Sequence, residues 1–346
     1  MRIAVLSYLA TYGNASGLAA SLAEDLGCEV GLICRTDNAA DGGDYGFLSE
    51  LPASVPAWRL DRDGDLAGAR AFAAAADRVV VMAMPSLAWI APRVLDSPAA
   101  KRGAMVLSSS HLFAGLPWES RLIADMDTSA VEWNNRRIEA AGLAVFVQPH
   151  KRCYLVGPAA AAARPWFPPV AEIVPAQPAQ GPVLIAHSPG KGGRLHWKGT
   201  PTVIRVFGRL EKELGDSVRC VVLKKMPHAE IMAARAGFHV FVDQLCGPVT
   251  VAGGFAPYRG GLDKSGLEAM AAGCAVVTSG GPFTFGGQTP EPPISWAGDE
   301  ASLADVLRFL LCDADARADL AAAGRRWVRQ WCRPAAVAGR ILEAIQ

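Results

Sequence analysis

The sequence predicts an α/β protein of two domains, each built on a mostly parallel sheet, and three observations predict it. The chain has 346 residues, more than one ordinary α/β core holds, and a domain size of roughly 150 residues gives two. Short apolar runs alternate with helical patterns of apolar residues, the arrangement that joins parallel strands by crossover helices. The alternation is interrupted once, where Pro165, Pro168, Pro169, Pro175, Pro178 and Pro182 crowd together. Neither a helix nor a central strand tolerates that density of proline. Residues 1–165 are therefore assigned to an N-terminal domain, 166–182 to a linker and 183–346 to a C-terminal domain.

Each element follows from its pattern. Arg2–Ser7 is a short apolar run, and Ser16 opens a helical pattern through Leu18, Leu22 and Leu26 that ends at Gly27. Cys28–Cys34 reads as the second strand, with further strands at Arg78–Met84, Gly103–Ser108 and Leu143–Gln148 and helices at Leu66–Ala76 and Val131–Ala141. Beyond the linker, strands are expected at Val183–His187, Arg219–Lys224, Val240–Asp243 and Ala275–Ser279. Helices are expected at Thr200–Leu214, His228–Ala236 and Ser265–Ala272, and two more, Ala301–Leu311 and Ala316–Trp331, close the chain. The stripe of Trp327, Trp331 and Arg333 reads as packing of a terminal helix.

Composition removes several function classes. Thirty-four Lys and Arg against 33 Asp and Glu leave no global field to gather nucleic acid or an anionic membrane. The basic group Arg136, Arg137, His150, Lys151 and Arg152 reads as a solvated face, with peripheral membrane contact or an anionic acceptor as its other use. The eight cysteines form no Cys-x-x-Cys pair, so they read as buried thiols of a reducing compartment and a cytoplasmic protein is expected. The first apolar run ends in Thr11, Gly13 and Asn14, which fits neither a signal peptide nor a membrane span. No Asp, His or Cys cluster has metal-ligand spacing, so no metal and no cofactor is expected.

Ligands of open parallel sheets sit beyond the C-terminal ends of the strands, which directs attention to the loops there. The loop from His187 to Pro201 carries Lys191, Arg194 and Lys198 up to a helix start, where Thr200 suits the N-cap and Pro201 the first turn. Backbone N–H groups and the positive dipole end there suit a diphosphate. A nucleoside-triphosphate loop is excluded, because Gly192 follows Lys191 where Ser or Thr belongs and Ile185 stands where the first Gly belongs. The second loop starts at Val242-Asp243-Gln244 and reaches Asp263-Lys264-Ser265-Gly266-Leu267-Glu268. Ser265 can cap that helix, and Gly266 leaves its backbone open to a ligand. Glu268 either accepts from two vicinal hydroxyls or closes a capping box onto Ser265. In the N-terminal domain, His111 follows a strand in Ser108-Ser109-Ser110-His111. Thr11-Tyr12-Gly13-Asn14 precedes a helix without the Gly-x-Gly-x-x-Gly spacing of a dinucleotide site.

The stretch Gly266 to Val277, together with Lys198-Gly199-Thr200 and Asp243-Gln244, resembles the donor domain of retaining glycosyltransferases of the GT-B type. These have two Rossmann-like domains facing across a cleft, and a terminal helix can cross back to the first. The resemblance covers 183–346 by motif and 1–165 by layout. It implies that Glu268 binds donor ribose, that Ser265, Gly266 and Leu267 meet the diphosphate, and that Arg194 and Lys198 neutralise it. Gly13, His187 and Gln244 join the donor-binding candidates, and His111 faces the donor sugar from the other domain. The candidate catalytic residues are thus His111, Lys198 and Glu268. Many members carry another glutamate eight positions before the ribose glutamate. Here that position is Gly260, within a Gly-rich loop at 253–261, and Asp263 is a candidate substitute.

The implied chemistry is transfer of a sugar from a nucleoside diphosphate sugar, the co-substrate, to a glycan, a lipid-linked saccharide or a protein. Lys198, Arg194 and the helix start would stabilise the charge that develops on the leaving diphosphate, and that phosphate itself would take the acceptor proton. Two rivals stay open. One is an epimerase or hydrolase on the same architecture, which needs acid and base carboxylates. The other is a non-catalytic protein that binds nucleotide or a partner.

Overall fold

The computed structural model describes residues 1–9, 14–36, 51–60, 65–82, 89–96, 101–107, 136–149, 157–175, 181–189, 198–224, 226, 228–245, 261–280 and 290–346. They divide into two compact units, one spanning Met1–Pro169 together with Pro334–Gln346, the other Val170–Arg333.

The first unit contains β1 (Arg2–Leu9), α1 (Asn14–Glu24), β2 (Glu29–Thr36), β3 (Ala57–Arg59), α2 (Asp65–Ala75), β4 (Arg78–Met82), α3 (Ala91–Val94), β5 (Gly103–Leu107), β6 (Ala144–Val147), α4 (Gly157–Ala162) and β7 (Arg164–Pro165). Its strands form one parallel sheet in the order β3-β2-β1-β4-β5-β6-β7. β1 lies between β2 and β4, with crossovers leaving on both sides, the doubly wound Rossmann order. A strand covered on both faces must be apolar throughout, and Ile3 to Leu6, Val79 to Val81 and Ala104 to Leu107 are all fully buried.

The second unit contains β8 (Val183–His187), α5 (Thr200–Leu214), β9 (Val218–Val222), α6 (His228–Arg235), β10 (Val240–Val242), α7 (Lys264–Ala271), β11 (Ala275–Thr278), β12 (Ser295–Trp296), α8 (Glu300–Cys312) and α9 (Ala314–Trp331). Its strands are parallel in the order β12-β11-β10-β8-β9, the second common doubly wound order. Val203, Val206, Phe207 and Leu210 of α5 pack with Leu303, Leu307 and Leu310 of α8 on one core with Ile185, Val240 and Val242.

The fold corrects several expectations. The strands β3, β7 and β12 have two or three residues each, none of them fully buried, so no continuous apolar run marks them in the sequence. A third terminal helix, α10 (Pro334–Ile345), follows α9, and Pro334 at its first position suits a helix start. Its Val337, Ala338, Ile341 and Ile345 enter the core of the first unit beside Leu18, Leu22 and Phe146, and Arg78 donates from its side chain to the carbonyls of Ile345 and Gln346. Thr200 is not the N-cap of α5. That place belongs to Gly199, at φ 64°, where a Cβ would stand 1.9 Å from the Leu245 carbonyl oxygen. Among the cysteines, Cys34, Cys274 and Cys332 are buried, but Cys312 is exposed.

Candidate functional site

In the second unit the crossovers reverse direction between β8 and β10, so the crevice beyond the ends of these two strands is where such a sheet takes a ligand. His187 ends β8 directly opposite Val242 of β10. Its Nδ1 lies 2.8 Å from the Val242 carbonyl oxygen and its Nε2 lies 2.9 Å from the Thr200 hydroxyl. A carbonyl only accepts, so Nδ1 carries the proton and Nε2 receives the Thr200 O–H. Burial, with Lys198 adding to it, pushes the imidazole down to about 4, so it is neutral at pH 7. With 0 % exposure and both nitrogens engaged, His187 fastens the strand ends to the start of α5.

That fastening sets Lys198, two residues before Thr200. Its ammonium donates to Asp243 Oδ1 at 3.0 Å and to the Ser265 hydroxyl at 2.6 Å. Asp243 has 0 % exposure. Its Oδ1 also accepts from the Ser265 hydroxyl, and its Oδ2 accepts from the Asp263 backbone N–H at 2.8 Å. A buried carboxylate requires such donors, because the desolvation of a bare charge costs several kcal/mol. Asp243 therefore ties together β10, the start of α5 and the start of α7. The Leu245 N–H donates to the Lys198 carbonyl at 2.9 Å and closes the same junction through the backbone.

The start of α7 differs from its expected form. Asp263 is the N-cap and makes no side-chain cap bond, while Ser265 lies inside the first turn with its hydroxyl turned to Asp243. Gly266 owes its lack of a side chain to the same carboxylate, since a Cβ there would meet Asp243 Oδ2 at 2.8 Å and the Leu262 side chain at 2.6 Å. Glu268 does not close a capping box. It is 5 % exposed and its Oε2 pairs with Arg235 Nη1, while Lys264 stands 4.0 Å from its Oε1. Gln244, also buried, donates from its amide to the Gly261 carbonyl, which receives the Thr278 hydroxyl as well, at 2.7 Å.

Lys198, Ser265 and Gly266 thus meet in one cluster around Asp243. Leu267 is buried behind it with 0 % exposure, and Glu268 faces α6. Gly13, His111 and Arg194 lie outside the described residues, as do Lys191, His150, Lys151, Arg152 and the 253–260 part of the Gly-rich loop. Two participants had no local signal. Arg235 closes a helix 33 residues before its partner, and Asp243 was only part of a resemblance whose long-range bonds no spacing rule encodes. Chemically, the cluster offers an ammonium, a hydroxyl and first-turn N–H groups at a helix start, a combination that suits a phosphate. Among the described residues no group of three His, Cys, Asp or Glu could hold a metal ion, and no helix is long and apolar enough to cross a membrane.

No protein-family profile matches the chain, and no curated protein sequence matches it. Solved structures do. A sucrose-phosphate synthase from Thermosynechococcus elongatus is 17 % identical over 99 % of this chain and 98 % of its own, with a TM-score of 0.62. Anabaena HepE in complex with UDP and glucose is 12 % identical, covers 99 % and 98 %, and has a TM-score of 0.65. A glycosyltransferase from Rickettsia africae is 12 % identical over 99 % and 96 %, with a TM-score of 0.61. At such identities the likeness is one of fold. The chain has the GT-B fold of these glycosyltransferases, with two Rossmann-like domains.

Proposed function

We propose that the protein is a glycosyltransferase, moving a sugar from a nucleoside diphosphate sugar to a glycan, lipid-linked or protein acceptor in the cytoplasm. The observation that carries this reading is the Lys198, Asp243 and Ser265 cluster at the start of α7, at the switch point of a GT-B donor-type sheet. In it, Lys198 and the N–H groups of Ser265, Gly266 and Leu267 neutralise the diphosphate as it departs, a charge that grows in the transition state and is stabilised most there. Arg194 adds a second cation, Glu268 binds the ribose, and Gln244 and Gly13 line the donor site. His187 acts from behind, through Thr200 and the turn that bears Lys198. His111 faces the transferred sugar. Retention follows if the departing phosphate oxygen takes the acceptor proton on the same face, a route that requires no metal.

HepE holds UDP and glucose, which makes UDP the first nucleotide to try. Thermal-shift titration with UDP, GDP, ADP, TDP and CMP and their sugar conjugates reads preferential binding to the folded state. One nucleotide should raise the melting temperature, and Lys198→Ala should abolish the shift. Release of free sugar from the conjugate then reads turnover. Binding without hydrolysis or transfer to any of a mixture of acceptors would favour the second reading, a non-catalytic nucleotide-binding protein, to which Gly260 in place of the second family glutamate also points. No shift with any nucleotide overturns both.

A further inference from the structure

The reaction as proposed gives Arg235 no task, yet it is one of the most buried charged residues among those described. It ends α6 with 3 % exposure. Its Nη1 donates to Glu268 Oε2 and lies 3.2 Å from the Met232 sulfur. The guanidinium stands 5.2 Å from the centroid of the Phe241 ring, and the Cys274 thiol donates to the Arg235 carbonyl at 3.4 Å. Arg235 Nε is buried and has no hydrogen-bond partner.

As a device for holding α6 to α7 this is a poor one. Two apolar side chains of similar volume hold helices at least as well as a buried ion pair, and a buried N–H without a partner costs further. The arrangement does fix one thing well, the charge and direction of a carboxylate. Glu268 lies one turn beyond the cluster that bears Lys198, with Arg235 on one oxygen and Lys264 4.0 Å from the other. An alcohol pair is recognised by an acceptor that stays ionised and does not rotate. Resting on the donor-site reading above, we infer that Arg235 is a positioning residue that locks Glu268 to accept from the ribose hydroxyls, and so makes the site select ribonucleotide over deoxyribonucleotide donors. A ligand without the 2′-hydroxyl forgoes one hydrogen bond to a desolvated carboxylate, and sites built around a hydroxyl reject analogues lacking it far more strongly than apolar pockets reject a missing methylene.

Calorimetric binding of UDP against 2′-deoxy-UDP, and of GDP against 2′-deoxy-GDP, tests this on the full chain, with inorganic pyrophosphate as a probe of the phosphate half alone. The unaltered protein should prefer the ribonucleotide by more than about tenfold. Arg235→Met should lower the preference to below about threefold and leave pyrophosphate affinity unchanged, and Arg235→Lys should restore part of it. Arg235→Met combined with Glu268→Gln removes both charges, and so reports even if the single variant does not fold; it too should lack the preference. A folded Arg235→Met protein or double variant that keeps the original ratio overturns the inference, as does UDP or GDP binding without a ribonucleotide preference in the unaltered protein, and both leave the transfer reading standing. Failure of every nucleoside diphosphate to bind overturns the transfer reading itself and this inference with it.

Discussion

The two sheets are built alike and differ in what their strands deliver to their ends. Both are wholly parallel, with buried apolar strands at their centres and a switch point beside the first strand of the unit. In the first unit, the buried polar side chains among the described residues are Ser7, Ser16, Ser21 and Gln148, small or neutral groups. In the second they include His187, Asp243 and Gln244, which gather where β8 and β10 end, and Arg235 and Glu268, which pair between α6 and α7. A parallel sheet needs only apolar residues to form. Placing charge at its rim adds a desolvation cost that local partners must offset, so the second unit has its chemistry and its fragility in the same place.

The contrast can be broken most strongly at Asp243. Replacing it with alanine leaves Lys198, the Ser265 hydroxyl and the Asp263 N–H without their shared acceptor, and the second unit should lose about 4 kcal/mol of stability. Hydrogen exchange read on peptides of each unit should report the loss in the second and little in the first; a loss below about 1 kcal/mol would mean that water satisfies these groups as well as the carboxylate does. Gly199 and Gly27 give a matched pair, since both have a left-handed φ, 64° and 65°, but only Gly199 has an atom in the way. Gly199→Ala should cost about 3 kcal/mol, from the backbone strain and the clash with Leu245 together. Gly27→Ala should cost about 1 kcal/mol from strain alone. Equal costs in urea unfolding would dissolve the distinction between the two turns.

Acid sharpens the same comparison. The folded protein holds the His187 ring at about 4 through burial, against an ordinary 6.5. The unfolded chain therefore takes up a proton that the folded one refuses as pH falls through this window. The stability that the neutral ring confers is complete above pH 6.5 and is lost as pH drops to 4, by about 3 kcal/mol. A urea midpoint that falls over this range, and falls less in His187→Gln, is the expected result. The same pH dependence in the variant would assign it to other groups.

Much of the fold was legible because the residues that determine it are neighbours in sequence. Val183–His187 and Thr200–Leu214 were read with the ends that the structure gives them, since a buried parallel strand and an amphipathic helix both declare themselves within a few residues. The strands β3, β7 and β12 and the terminal helix that starts at Pro334 were not read. The former are only partly buried and carry no continuous apolar run, and the latter hides behind the break at Arg333. At the candidate site, Lys198, Ser265 and Glu268 were named from the sequence, but not the bonds they make. Ser265-x-x-Glu268 has the spacing of a capping box, but the hydroxyl goes to Asp243, 22 positions back, and the carboxylate to Arg235, 33 positions back.

The sequence by itself determined where the chain is apolar, where it turns and how its strands and helices alternate, because those properties depend on a residue and its near neighbours. Only the tertiary structure decided which polar side chains meet. The β8 to β10 adjacency sets His187 against Val242, brings Lys198 to Asp243, and leaves at Gly199 and Gly266 room for no side chain at all. Burial makes each of those encounters consequential, since a charge or a hydroxyl removed from water must take its partner from whatever the fold places beside it.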